Sequence, residues 1–158
     1  MSRFSAATHP ARPQKPERVA YRALVWVAPL AAIGAVIGNV ILYGLGRVTG
    51  IISDAVLIRA TQQPLAVSAV ISTSLVGVLG ATSVYTLLGF TRRPITLFRL
   101  VAVIVLIGSV TTPFSLTGAS DAYRLLLLVM HVVVAAFVVV LLTTRARREP
   151  DDEANEEG

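Results

Sequence analysis

The stretch LLLLVMHVVVAAFVVVLLTT, residues 125–144, holds twenty residues with no Asp, Glu, Lys or Arg and is closed by Arg145. A helix rises 1.5 Å per residue and the hydrocarbon core of a bilayer is about 30 Å thick, so a run of this length and character fits one crossing. Fourteen of its residues are Leu, Val or Phe. At roughly −0.4 kcal/mol each they favour insertion by about 6 kcal/mol, enough to carry the one polar residue at its centre, His131.

Three further runs meet the same criterion. The first spans 23–46, bounded by Arg22 and Arg47. The second lies at 65–90 within the uncharged run 60–91, with Pro64 placed for a first helical turn. The third is taken as 97–114, its helix starting near Pro94 and ending where Pro113 and the following Ser-Leu-Thr-Gly segment break the pattern. The first run far exceeds the 7–15 apolar residues of a signal peptide and lacks a clear A-x-A-like site, so an uncleaved anchor is expected. Lipid offers the backbone no hydrogen-bond partners, and runs this continuous are not the alternating segments of a barrel. The expected fold is therefore all-α: four transmembrane helices in an up-down antiparallel bundle.

Composition agrees. Of 158 residues 54% are hydrophobic and 15% charged, against about 25% charged in a typical soluble domain, and the mean hydropathy is +0.73. Such a chain is neither disordered nor collagen-like. It contains no cysteine, which removes disulfides, thiolate nucleophiles and Cys-bound metals.

Basic residues orient the bundle. Arg3, Arg12, Lys15, Arg18 and Arg22 precede the first span, Arg92, Arg93 and Arg99 connect the second to the third, and Arg145, Arg147 and Arg148 follow the fourth. Only Arg47, Arg59 and Arg124 fall on the other side. The positive-inside tendency then puts both termini in the cytoplasm, as an even number of spans requires. The expected location is the plasma membrane. Arg22, Arg92, Arg93, Arg99, Arg145, Arg147 and Arg148 are placed to face lipid headgroups, anionic ones included. Tyr21, Trp26, Tyr85, Phe90 and Phe98 on the inner side, and Tyr43, Phe114 and Tyr123 on the outer, read as interfacial belts. Residues 1–22 read as a disordered basic arm; 145–158 read as a disordered tail holding six of the nine acids at its end. The outer connection from Arg47 to Gln63 is apolar enough to rest on the membrane surface. No nucleic-acid partner is indicated.

Helices in lipid associate through close backbone approach and hydrogen bonds, so small residues mark contacts. Ala69, Thr73, Gly77 and Ala81 form a groove at spacing four on the second span, and Gly34 and Gly38 form a G-x-x-x-G on the first. The latter is expected to pack within the chain rather than between copies.

The spans hold no ionisable residue other than His131 away from their ends, whereas intramembrane ion coupling, proton relay and aspartyl proteolysis need carboxylates there. H-E-x-x-H, G-x-S-x-G and phosphate-binding glycine loops are absent from the sequence. Neither enzyme activity nor a cofactor or metal is expected. Asn39 and His131 stand at a common depth, roughly 10 Å below the outer boundary, with Ser72, Thr73, Thr111 and Thr112 near the same level. These six form a candidate intramembrane polar layer. One reading is structural, the polar groups fixing register through bonds worth on average about 0.6 kcal/mol. The other is functional: His131, whose side-chain type titrates near physiological pH, binds a proton, metal or small ligand in a cavity open to the outside, although a lone His without a carboxylate partner makes a poor metal site. At the head of the last helix, Ser120 or Asp121 is expected to cap, and Asp121 to pair with Arg124.

The turn Arg92-Arg93-Pro94-Ile95-Thr96-Leu97-Phe98-Arg99 and the segment Met130-His131-Val132-Val133-Val134-Ala135-Ala136 together resemble a family of small four-span actinobacterial membrane proteins catalogued as domain of unknown function 6069. The resemblance runs from about Ala23 to Thr144 and implies architecture without any catalytic residue. The functional expectation is a non-enzymatic membrane subunit or interaction protein, with a membrane-protein partner or a second copy as its associate. The alternative is a small carrier or ligand or pH sensor built on Asn39 and His131. A dry, filled outer half supports the first and a water-accessible pocket lined by those two residues the second.

Overall fold

Each apolar run forms a helix bounded by a polar or glycine-containing turn. In the computed structural model, which describes residues 18–58, 62–114, 116 and 118–148, α1 covers Tyr21–Val48, α2 Val67–Leu88, α3 Pro94–Ser109, α4 Thr111–Phe114 and α5 Asp121–Arg145. Four segments are long and apolar enough to cross a membrane: α1, α2, the joined α3 and α4, and α5. Gly50, at φ +72°, turns the chain out of α1. Pro94 begins α3, where its missing N–H costs nothing. Pro113 cannot donate to the carbonyl four residues back, Ser109, and this is where α3 ends and the short α4 begins. Ser120 caps α5, accepting from the backbone N–H of Tyr123 at 3.2 Å, while Asp121 and Arg124 pair at 3.0 Å.

The helices alternate in direction. α1 packs most extensively against α5 and α2, and α3 closes the bundle by touching α2 and α5. A core of Leu24, Val27, Ala31, Ala35, Val78, Tyr85, Phe98 and Leu142 fills the half nearest the chain termini. Tyr85 and Phe98 meet edge to face there, with centroids 4.9 Å apart. A second cluster of Ile52, Val56, Ala119 and Tyr123 covers the opposite end.

Several sequence expectations are corrected. The second crossing begins at Val67, and Pro64 lies in a strand: β2 (Leu57–Ile58) pairs with β3 (Gln63–Pro64). Within this connection Ile52 and Val56 are buried against the bundle. Order also extends into both presumed tails, because β1 (Arg18–Val19) pairs antiparallel with β4 (Arg147–Arg148) and the N–H of Ala20 donates to the carbonyl of Ala146 at 2.9 Å. The disorder expected for 1–17 and 149–158 concerns residues outside those described. Tyr85, Phe98 and Tyr123, read as belt aromatics, are buried core residues; Tyr21, Trp26, Phe90 and Phe114 are the exposed ones.

Candidate functional site

Close packing at the α1–α5 seam is set by glycine. Phe137 of α5 lies where Gly34 would carry a Cβ, and a Cβ at Gly38 would come 2.9 Å from Val133 Cγ1. The G-x-x-x-G on α1 therefore packs within the chain. On α2 the buried face is Val70, Ser74, Val78 and Tyr85, one residue round the helix from the expected stripe of small residues. Of that stripe, Thr73, Gly77 and Ala81 line a cavity of about 260 Å³, roughly nine water volumes. Small residues bring helices together only when the facing helix fills the groove. A Cβ at Gly77 would lie 3.3 Å from Val134 Cγ1 of α5, so that position packs on α5, and the cavity is left where Ala102 on α3 and Ala135 on α5 are small as well.

The cavity lies between α2, α3 and α5, with Asn39 of α1 contributing to its wall. Both Asn39 and His131 line it, as do Thr73, Ser74 and Ser109. The structure does not bring in Ser72, whose exposed hydroxyl donates to the Ala69 carbonyl at 3.1 Å, nor Thr111 and Thr112, which are exposed on α4 beyond the break after Ser109. Depth alone groups these residues, but helical rotation separates them: Ser72 and Ser74 point about 200° apart. Ser74 is legible from its spacing with Val70 and Val78, and Ser109 from Pro113, which stops the helix one turn short of the threonines.

Hydrogen bonding gives this lining a definite polarity. Ser74 donates its hydroxyl proton to the Val70 carbonyl at 2.7 Å, so it can only accept from Asn39, whose Nδ2 lies 3.0 Å from Ser74 Oγ. That orients the amide and leaves Asn39 Oδ1, in a residue 4% exposed, with no hydrogen-bond partner. His131 Nδ1 lies 2.7 Å from the Leu127 carbonyl oxygen. A carbonyl only accepts, so Nδ1 carries the proton and, in the neutral ring, Nε2 offers a lone pair. Thr73 donates to Ala69 at 2.7 Å and Ser109 to Leu106 at 2.7 Å. No Asp, Glu, Lys or Arg lines the cavity, and no group of three or more His, Cys, Asp or Glu able to hold a metal occurs among the described residues.

At the terminal end, the expected headgroup-facing arginines gather around the clasp of β1 and β4. Arg22, Arg92, Arg93, Arg145 and Arg147 are exposed. Arg99, also exposed, reaches back from α3 to Thr143 Oγ1 of α5 at 3.3 Å. Arg148 takes part through its backbone pairing with Arg18. At the other end Arg47 binds Asp54 at 2.5 and 3.2 Å. The Arg47 guanidinium holds the Asp54 carboxyl below its usual range.

Among known proteins, the model of a family of unknown function, DUF6069, matches residues 19–148. No curated protein and no solved structure matches the chain.

Proposed function

The chain belongs to DUF6069, a family of unknown function, and for it we propose a plasma-membrane protein that binds a small ligand inside the bilayer, acting by binding rather than by catalysis. The observation that carries this reading is the cavity of about 260 Å³ lined by both Asn39 and His131. The cleft opens toward the bilayer between α2 and α3, and its walls lack the dispersion contacts of a packed seam until a lipid chain or a ligand supplies them. Catalysis is disfavoured because His131 is the sole titratable residue on the lining, with no second acid or base beside it.

The arginine-rich end, where both termini and the α2–α3 turn meet, is proposed to face the cytoplasm, and the Ile52–Tyr123 cap the outside. The chain has no native cysteine, so single cysteines report orientation without background. A membrane-impermeant maleimide applied to intact cells is expected to label Ala55→Cys and spare Thr91→Cys.

Ligand binding is tested by equilibrium uptake of radiolabelled 1-decanol by the full chain in nanodiscs, measured against protein-free nanodiscs. Saturable uptake is expected, lost on filling the cavity from either wall with Gly77→Leu or Ala102→Leu. It is retained in Gly80→Leu, where an added Cβ meets nothing within 4 Å. Uptake that never saturates, or that is indifferent to all three changes, overturns the reading.

A further inference from the structure

The polarity of the lining identifies the class of ligand, and this step rests on the binding role proposed above. The hydroxyls of Thr73, Ser74 and Ser109 each donate to a carbonyl of their own helix, and the Nδ1 proton of His131 is committed to Leu127. What faces inward from these groups is lone pairs. Ser74 Oγ also accepts from Asn39, and Asn39 Oδ1, though unpartnered, is sealed from the cavity, so the lone pairs that a ligand meets are those of Thr73, Ser109 and His131 Nε2. No charged residue balances an ion there, and a lone charge at this depth in the membrane is costly.

The route of entry follows from how the cavity is closed. Toward the termini lie the buried Tyr85, Phe98 and Leu142. Toward the other end the Ile52 and Tyr123 cluster packs on Leu65 and Leu127, which themselves line the cavity. The side between α2 and α3 is thin: Thr73, Gly77 and Val105 are lining residues that are also exposed.

We propose that the ligand is a neutral amphiphile that carries a hydrogen-bond donor such as a hydroxyl, enters sideways from the bilayer between α2 and α3, and gives its proton to His131 Nε2 while its chain trails into the cleft. An acceptor-only head leaves these lone pairs unmatched, an anion meets them with repulsion, and a cation must shed its hydration without a carboxylate to replace it.

The test is displacement of radiolabelled 1-decanol from the full chain in nanodiscs by ten-carbon competitors: 1-decanol, decyl methyl ether, decane, decanoate and decylammonium. The alcohol is expected to compete at least tenfold better than each of the others. In His131→Phe its advantage over the ether is expected to fall to within about twofold. Equal competition by alcohol, ether and alkane overturns the donor requirement while leaving the cavity a binding site. Preference for decanoate or decylammonium overturns neutrality. Tenfold discrimination that survives in His131→Phe removes His131 as the acceptor. Absence of any saturable displacement fails the binding role itself, and this inference with it. The wild-type series alone decides the donor requirement, whatever the folding of the variant.

Discussion

Phe137 on α5 occupies the space that a side chain on Gly34 of α1 would need. The ring is 37% exposed, so part of the collision can be relieved by turning it outward, and what is lost is its packing in the seam between the two most extensively packed helices. Gly34→Val is expected to destabilise the bundle by about 1–3 kcal/mol, the usual range for overpacking. Gly80→Val, facing open space, is expected to cost less than about 1 kcal/mol beyond its change in helix propensity. Thermal unfolding of the two variants in the same detergent provides the comparison.

The bond from Asn39 to Ser74 joins α1 to α2 inside the membrane. Ser74→Ala strands the amide and is expected to cost about 1–3 kcal/mol, the penalty of a buried unsatisfied group. The double change Asn39→Leu with Ser74→Ala removes both partners and is expected to be less destabilising than Ser74→Ala alone. A double-mutant cycle in denaturant checks the order; strict additivity contradicts it.

Much of the architecture is legible in the sequence because the solvent is lipid. A crossing needs length and apolarity, and residues 125–144 announce both without homologues or contacts. The interior is less legible. In water a helix shows its buried face as an apolar stripe, but here every face is apolar, so nothing in hydropathy separates Val70–Ser74–Val78 from Ala69–Thr73–Gly77. Small residues therefore read as one packing groove on α2, whereas Gly77 packs near Val134 and the stripe otherwise borders a cavity. The aromatic belt fails in part for a related reason: Tyr85, Phe98 and Tyr123 sit at plausible depths, but depth does not say which way a ring points. Asn39 and His131 line one cavity, and the sequence singles them out because polar residues within a span are few.

Trp26 is the one tryptophan in the chain and is 79% exposed on the first half of α1, about 8 Å along the helix from Tyr21. Its fluorescence is expected to be strongly quenched by lipids brominated on their acyl chains and little affected by aqueous iodide. The reverse pattern contradicts a bilayer around α1.

Asp54 is held below the usual carboxylate value of about 3.9 by Arg47. A lowered folded value contributes stability above the unfolded one and loses it as pH falls through the folded value. Both partners are exposed, so the effect is small and screened by salt. Asp54→Asn is therefore expected to lower the melting temperature slightly at neutral pH and low salt. The difference should shrink as pH falls below the ordinary carboxylate value of about 3.9 and vanish in 1 M salt. A difference that persists under both conditions contradicts this origin.

The central claim, a ligand held between α2 and α3 within the bilayer, is met most directly by mapping where a photoreactive ligand attaches. A diazirine-bearing decanol, activated on the full chain in vesicles and located by mass spectrometry, is expected to mark residues 73–81 of α2, 102–109 of α3 and 131–138 of α5, and to be displaced by excess 1-decanol. Labelling spread evenly over the lipid-facing residues of all the helices, unchanged by excess 1-decanol, would contradict the account.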